Sequence, residues 1–233
     1  MHILVIDGNH VEAEFREKFG PGHAYSFFTP ESATTREAPT SFTQRLETAL
    51  AASEVVFDFV GLLLTMGQVN IPPHLPVFQE ASGAAEGTGS PATATAICFG
   101  FCGLPTLLNR SLLEVSLPNE ADRERLATTC AALGTDYRVV AARVGLVTPR
   151  VICMVINEAC FTVQEGTATM QAVDLGMKLG TSYPRGPFAW ANAIGVERVY
   201  AVLDAMWHDT HDERYKVCPL LKRHALRCEA FAV

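Results

Sequence analysis

The chain has 233 residues, 48% of them hydrophobic and 18% charged, which is enough apolar material for one large domain or two small ones and excludes global disorder. A formal net charge of −7 and the lack of any Lys/Arg cluster argue against a nucleic-acid surface. No apolar run reaches the ~18–20 residues of a membrane span, so no membrane partner is expected either.

The first residues, MHILVID, lack a basic start and a cleavage pattern and read as a buried strand. Ile3–Ile6 forms that strand. Asp7-Gly8 turns it, Val11–Phe19 is helical, and Gly20-Pro21-Gly22 breaks the helix. Strand, turn, helix is the opening of a doubly wound α/β unit. A strand follows at Ala24–Phe28, then a polar linker from Pro30 to Ser41, a helix at Phe42–Ala51 and a strand at Val55–Val60. Pro76–Phe78 and Ala96–Phe101 are further strands, joined by SGAAEGTGSPATAT, whose Gly, Ser and Thr content predicts a mobile connection. Leu112–Leu117 is a strand. The helix after it starts at Pro118-Asn119-Glu120, with Asn119 as N-cap, and stops at Gly134. Tyr137–Ala141 is the last strand.

From there on the pattern is helical, so two domains are expected, 1–142 and 143–233. In the second, Thr148 caps a helix with Pro149 at its first position, Val151 to Val163 recur at helical spacing, and Gly166 ends the run. Thr169 caps the next helix and Gly180 closes it. Val196–Trp207 and Leu220–Leu226 complete the set.

Seven cysteines, with no CxxC pair and mostly in apolar runs, predict a reduced, cytoplasmic protein without disulfides or structural zinc. His208 and His211 have a spacing that suits a metal on one helix face. With no third ligand apparent they read as a solvated helix end, and no metal site is expected.

The run Asn157-Glu158-Ala159, Glu165-Gly166, Asp174, Met177, Gly180, Pro184, Gly186-Pro187-Phe188, Trp190 and Ile194-Gly195 resembles the C-terminal helical domain of 3-hydroxyacyl-CoA dehydrogenases. The segment from Glu213 to Arg223 resembles that family's ending. The resemblance implies a Rossmann-like, mostly parallel sheet domain, here shortened, followed by an all-α domain. It also implies NAD-linked oxidation of a 3-hydroxyacyl-CoA to the 3-ketoacyl-CoA, and a homodimer built through the helical domain.

That chemistry asks for four things. A G-x-G-x-x-G cradle lets backbone approach a pyrophosphate, but its glycine positions fall on Asp7, Asn9 and Glu12, leaving only Gly8 as a cofactor-binding glycine. A histidine base is expected where Cys102 stands, and the glutamate that orients it matches Glu114 in Leu112-Leu113-Glu114-Val115. A substrate-binding serine matches Ser82. A substrate-binding asparagine is replaced by Pro149, next to a retained Arg150. Cradle, base and asparagine thus fail together.

The expected function is therefore a family member with a degraded hydride-transfer site and no bound cofactor. It would bind acyl-CoA or partner an active enzyme in fatty-acid or aromatic-acid degradation. The alternative is an active NAD-dependent dehydrogenase with a rebuilt site, in which Glu114, Cys102 or Ser82 is catalytic. Structural readings stand beside these: Cys102 as a buried small residue, Glu114 as a local cap, and Tyr183, Phe188 and Trp190 as turn and core packing.

Overall fold

The computed structural model describes residues 1–30, 39–66, 69–83 and 97–233, with the side chains of 39–41 left aside. It divides into two compact units. Ser82, Gly83, Leu104–Leu107 and Arg143–Val233 belong to the second, and the other described residues to the first.

The first unit is a seven-stranded sheet of β1 (His2–Ile6), β2 (Ala24–Phe28), β3 (Val55–Asp58), β4 (Pro76–Glu80), β5 (Ile97–Phe101), β6 (Leu112–Ser116) and β7 (Asp136–Val140). Their order is β2-β1-β3-β4-β5-β6-β7. The first five run parallel. β6 is antiparallel to β5, and β7 is parallel to β6. Side chains alternate between the faces. Ile3, Val5, Val55, Phe57, Phe78, Phe99 and Phe101 pack with α1 (Glu12–Phe19) and α4 (Arg123–Leu133). Leu4, Ile6, Val56 and Val77 pack with Leu46 and Leu50 of α2 (Pro39–Ala51) and with Leu63 of the single turn α3 (Leu62–Thr65). Helices on both faces of a mostly parallel sheet make this a doubly wound fold.

Several boundaries in this unit differ from expectation by a residue or more, three of them with a local cause. The helix expected from Phe42 begins at Pro39, because proline suits a first helical turn. The strand expected to Val60 ends at Asp58. That carboxylate accepts the N–H groups of Val60, Leu62 and Leu63 at 3.2, 3.1 and 2.9 Å and turns the chain into α3. Asn119 accepts the Ala121 N–H as expected, but it starts a 3₁₀ turn, Glu120–Asp122, ahead of α4. Gly134 ends α4 in the left-handed region, φ 69°. The linker residues before 39 and the Gly/Ser/Thr-rich connection beyond Gly83 lie outside the described residues.

The second unit contains α5 (Thr148–Gln164), α6 (Met170–Thr181), α7 (Pro187–Ile194), α8 (Val196–Thr210) and α9 (Pro219–Arg227). Its core is Cys153, Ile156 and Cys160 of α5, Phe188, Ala191 and Ile194 of α7, Val199, Leu203 and Met206 of α8 and Leu221 of α9, all buried. Thr148 is not the N-cap. It lies inside α5, Val147 holds the cap position, and Pro149 comes one residue later. Thr169 does cap α6, accepting the Ala172 N–H at 3.2 Å. Gly180 does not close α6; the helix runs to Thr181 and ends where Ser182 turns left-handed. α7 was not foreseen as a helix, since its eight residues lie inside a segment that reads as turn and motif.

Candidate functional site

In a doubly wound sheet a ligand crevice forms where strand order reverses, at the carboxyl ends of the strands. Here the chain passes from β1 out to β2 and returns beyond β1 to β3, so the crevice lies past Ile6 and Asp58. Asp7 leaves β1 left-handed (φ 54°), and its N–H donates to the Phe28 carbonyl at 2.9 Å. Gly8 follows, then a 3₁₀ turn, Asn9–Val11, before α1. Phe59 follows β3, its N–H donating to the Ile6 carbonyl at 3.0 Å.

The Phe59 ring packs beside Gly8 and Gly103 at this crevice. A Cβ on Gly8 would lie 2.8 Å from Phe59 Cε2, and one on Gly103 would lie 2.6 Å from Phe59 Cε1. His10 and Phe101 meet the ring edge-on at 5.6 and 5.3 Å. The space that a side chain at Gly8 would fill is therefore taken by Phe59 and Val5. The first turn of α1 carries Glu12 and Glu14, which occupy the end of the helix where an anion would be held. Glu12 is paired with Arg16 at 2.8 Å, and Asn9 donates to the Thr29 hydroxyl at 3.1 Å. These residues do not fit a dinucleotide pyrophosphate.

β5 and β6 pair Gly100 with Ser116 and Phe101 with Val115; Cys102 follows β5, and Glu114 precedes Val115 within β6. Both are buried, at 3% and 5% exposure. Arg110 stands 3.9 Å from the Glu114 carboxylate. Sequence reasoning missed Arg110 and Phe59. Phe59's only signal was its place directly after a strand at the switch point, and Arg110's was a cation leading into β6. Ser82, in the second unit, is fully buried, and its carbonyl accepts the Gly145 N–H at 3.0 Å. Asp58 is 1% exposed; burial holds its carboxyl above the ordinary 3.8, opposed by backbone N–H bonds.

The motif residues of the second unit tie the helices together. Asn157 donates to the Lys216 carbonyl at 3.0 Å and accepts the Cys218 N–H at 2.9 Å. Asp174 accepts the N–H groups of Phe188 and Ala189 at 2.8 and 2.9 Å. A Cβ on Gly186 would lie 2.2 Å from Asp174 Cγ, so that position must be glycine for the cap to form. Trp190 donates to the Thr106 hydroxyl at 2.9 Å and meets Tyr183 edge-on at 6.1 Å. Arg150 bonds the Tyr215 hydroxyl and the Val144 carbonyl. A cleft of about 410 Å³ runs beside it, lined by Val151, Met154, Val155, Glu158 and Arg214. His208 and His211 lie at the end of α8, and among the described residues no three His, Cys, Asp or Glu groups converge as a metal site.

Residues 145–229 match the family described as 3-hydroxyacyl-CoA dehydrogenase, C-terminal domain. Over 82 residues the chain is 40% identical to the 3-hydroxyadipyl-CoA dehydrogenase of Escherichia coli K12, a stretch covering 35% of this chain and 17% of that protein. Over 80 residues it is 39% identical to a probable 3-hydroxybutyryl-CoA dehydrogenase of Bacillus subtilis, covering 34% of this chain and 28% of that one. The matches thus span under a third of these relatives' own lengths. Among solved structures, the (S)-3-hydroxybutyryl-CoA dehydrogenase of Ralstonia eutropha superposes with a TM-score of 0.70 at 17% identity, covering 100% of this chain and 99% of that one. FadB2 of M. tuberculosis superposes at 0.74 and 18%, covering 99% and 98%. The helical part therefore belongs to the 3-hydroxyacyl-CoA dehydrogenase family, and the chain has that family's fold, a Rossmann-like sheet followed by a helical domain.

Proposed function

We propose that this chain keeps the fold of 3-hydroxyacyl-CoA dehydrogenases but has a degraded hydride-transfer site, and that it acts by binding an acyl-CoA or by partnering an active enzyme. The observation that carries this reading is Phe59 packed against Gly8 at the switch point. A doubly charged pyrophosphate would have to displace that ring and then lie beside Glu12 and Glu14 at the start of α1. Two further features support it. A thiol stands at the position of the base, and Glu114 faces Arg110. With no imidazole at that position, nothing there takes the hydroxyl proton as hydride departs.

Calorimetry with NAD and NADH tests the proposal directly. No saturable heat is expected at millimolar nucleotide, whereas micromolar binding would support an active enzyme with a rebuilt site. In that case 3-hydroxybutyryl-CoA with NAD should yield NADH, and Glu114→Gln should abolish the yield. A thermal shift with acetoacetyl-CoA separates acyl-CoA binding from a ligand-free scaffold.

The same reading includes a homodimer through the helical unit. Leu175 and Leu179, one turn apart on α6, are 58% and 76% exposed, and Val147, at the N-cap of α5, and Val151 within it are each 52% exposed. Large aliphatic side chains repeating on helix faces suit a self-complementary contact.

A further inference from the structure

A cleft of about 560 Å³ opens in the first unit beside the ends of α1 and α4 and the segment leading into β6. Its walls include Lys18, Arg110, Ser111 and Thr135, with Glu17 and Asp136 also lining it. The volume suits a small molecule. Lys18 Nζ is held inside, donating to the Arg110 carbonyl at 2.5 Å. One donated hydrogen fixes the nitrogen and leaves its lone pair for reaction whenever the amine is neutral. Arg110 lines the same cleft, and its guanidinium also stands 3.9 Å from the Glu114 carboxylate. Of the lining side chains, Lys18 and Arg110 alone bring positive charge.

We propose that this cleft is a reactive-amine site for a small anionic carbonyl compound, such as an oxo acid or a phosphorylated aldehyde, with Lys18 as the nucleophile and Arg110 holding the anion. The Lys18 lone pair adds to the carbonyl carbon to give a carbinolamine, and loss of water leaves a C=N bond to Nζ. No oxidant or reductant takes part. The site is separate from the crevice at Gly8 and from the acyl-CoA reading. Burial, and after it the nearby Arg110, lower the Lys18 ammonium to about 8, while Cys130 opposes the shift. A substantial share of Lys18 is then neutral near pH 7.5, as an amine nucleophile requires. Glu17 and Asp136 balance the two cations, so reversible affinity is weak and covalent capture is the fitting readout.

The chain has four lysines, and Lys178, Lys216 and Lys222 are exposed in the second unit, which makes the test site-specific. The full chain is treated at pH 7.5 with limiting pyridoxal phosphate or pyridoxal, trapped with borohydride, and mapped by peptide mass spectrometry. Lys18 is expected to react at least about 10-fold faster than the other three, and faster with the phosphorylated aldehyde. Inorganic phosphate should slow Lys18 labelling in the unaltered chain, and Arg110→Gln should remove the preference for the phosphorylated probe. Labelling of Lys18 no faster than the exposed lysines overturns the reactive amine. Equal labelling by both aldehydes, with no protection by phosphate, overturns the anion site.

Discussion

Asp58 does at one position what sequence reading assigns to a continuing strand. Its buried carboxylate gathers three backbone N–H groups and ends β3, which sets Phe59 at the crevice. Because burial raises its folded-state value above the ordinary 3.8, the native chain binds more protons than the unfolded chain just above that pH. The contribution of Asp58 to stability therefore falls as pH rises from 3.8 through the folded value. Asp58→Asn removes that slope. Urea unfolding across this acidic range should find the variant's deficit largest at low pH and narrowing as pH rises. A deficit that widens would contradict the burial argument. Glu114 and Cys102 were identified from motif spacing, and both are buried. Arg110, which changes what Glu114 can do, carried no motif.

At the scale of elements, α7 owes its start to Asp174 on α6, whose two bonds satisfy N–H groups in the first turn of a helix beginning at Pro187. Asp174→Ala leaves those donors without a partner in a buried setting. It should cost about 2–4 kcal/mol in urea unfolding, with Asp174→Asn losing roughly half as much because one acceptor remains. A loss within experimental error in both would show that α7 is held by its apolar face alone. The Asp174 and Gly186 motif positions that identify the family are thus joints between helices. Local signals located most elements, through short apolar runs in the strands and apolar recurrence in α5 and α8. They missed α7 because eight residues following a proline-glycine turn carry too little periodicity to read. They also misjudged the end of α6, since Gly180 is tolerated inside a helix and Ser182 supplies the left-handed turn.

For the whole molecule, the exposed leucines of α6 make assembly testable. Light scattering should find the parent dimeric, and the double variant Leu175→Asp with Leu179→Asp monomeric with its circular dichroism unchanged. A monomeric parent would end the dimer proposal. Short apolar runs, glycine breaks and the motif from Asn157 to Gly195, with the family it resembles, were enough, from sequence alone, to lead to a mostly parallel sheet followed by helices and to the family of the helical part. They could do so because each rests on neighbours within a turn or a strand. Only the tertiary structure decided what faces what. Phe59 lies against Gly8 and Gly103, and Lys18 bonds a carbonyl 92 residues away. Such contacts follow from strand order and crossover, to which no local period corresponds. That is why the fold was legible in the sequence, while the packing of Phe59 beside Gly8 and the cleft at Lys18 were not.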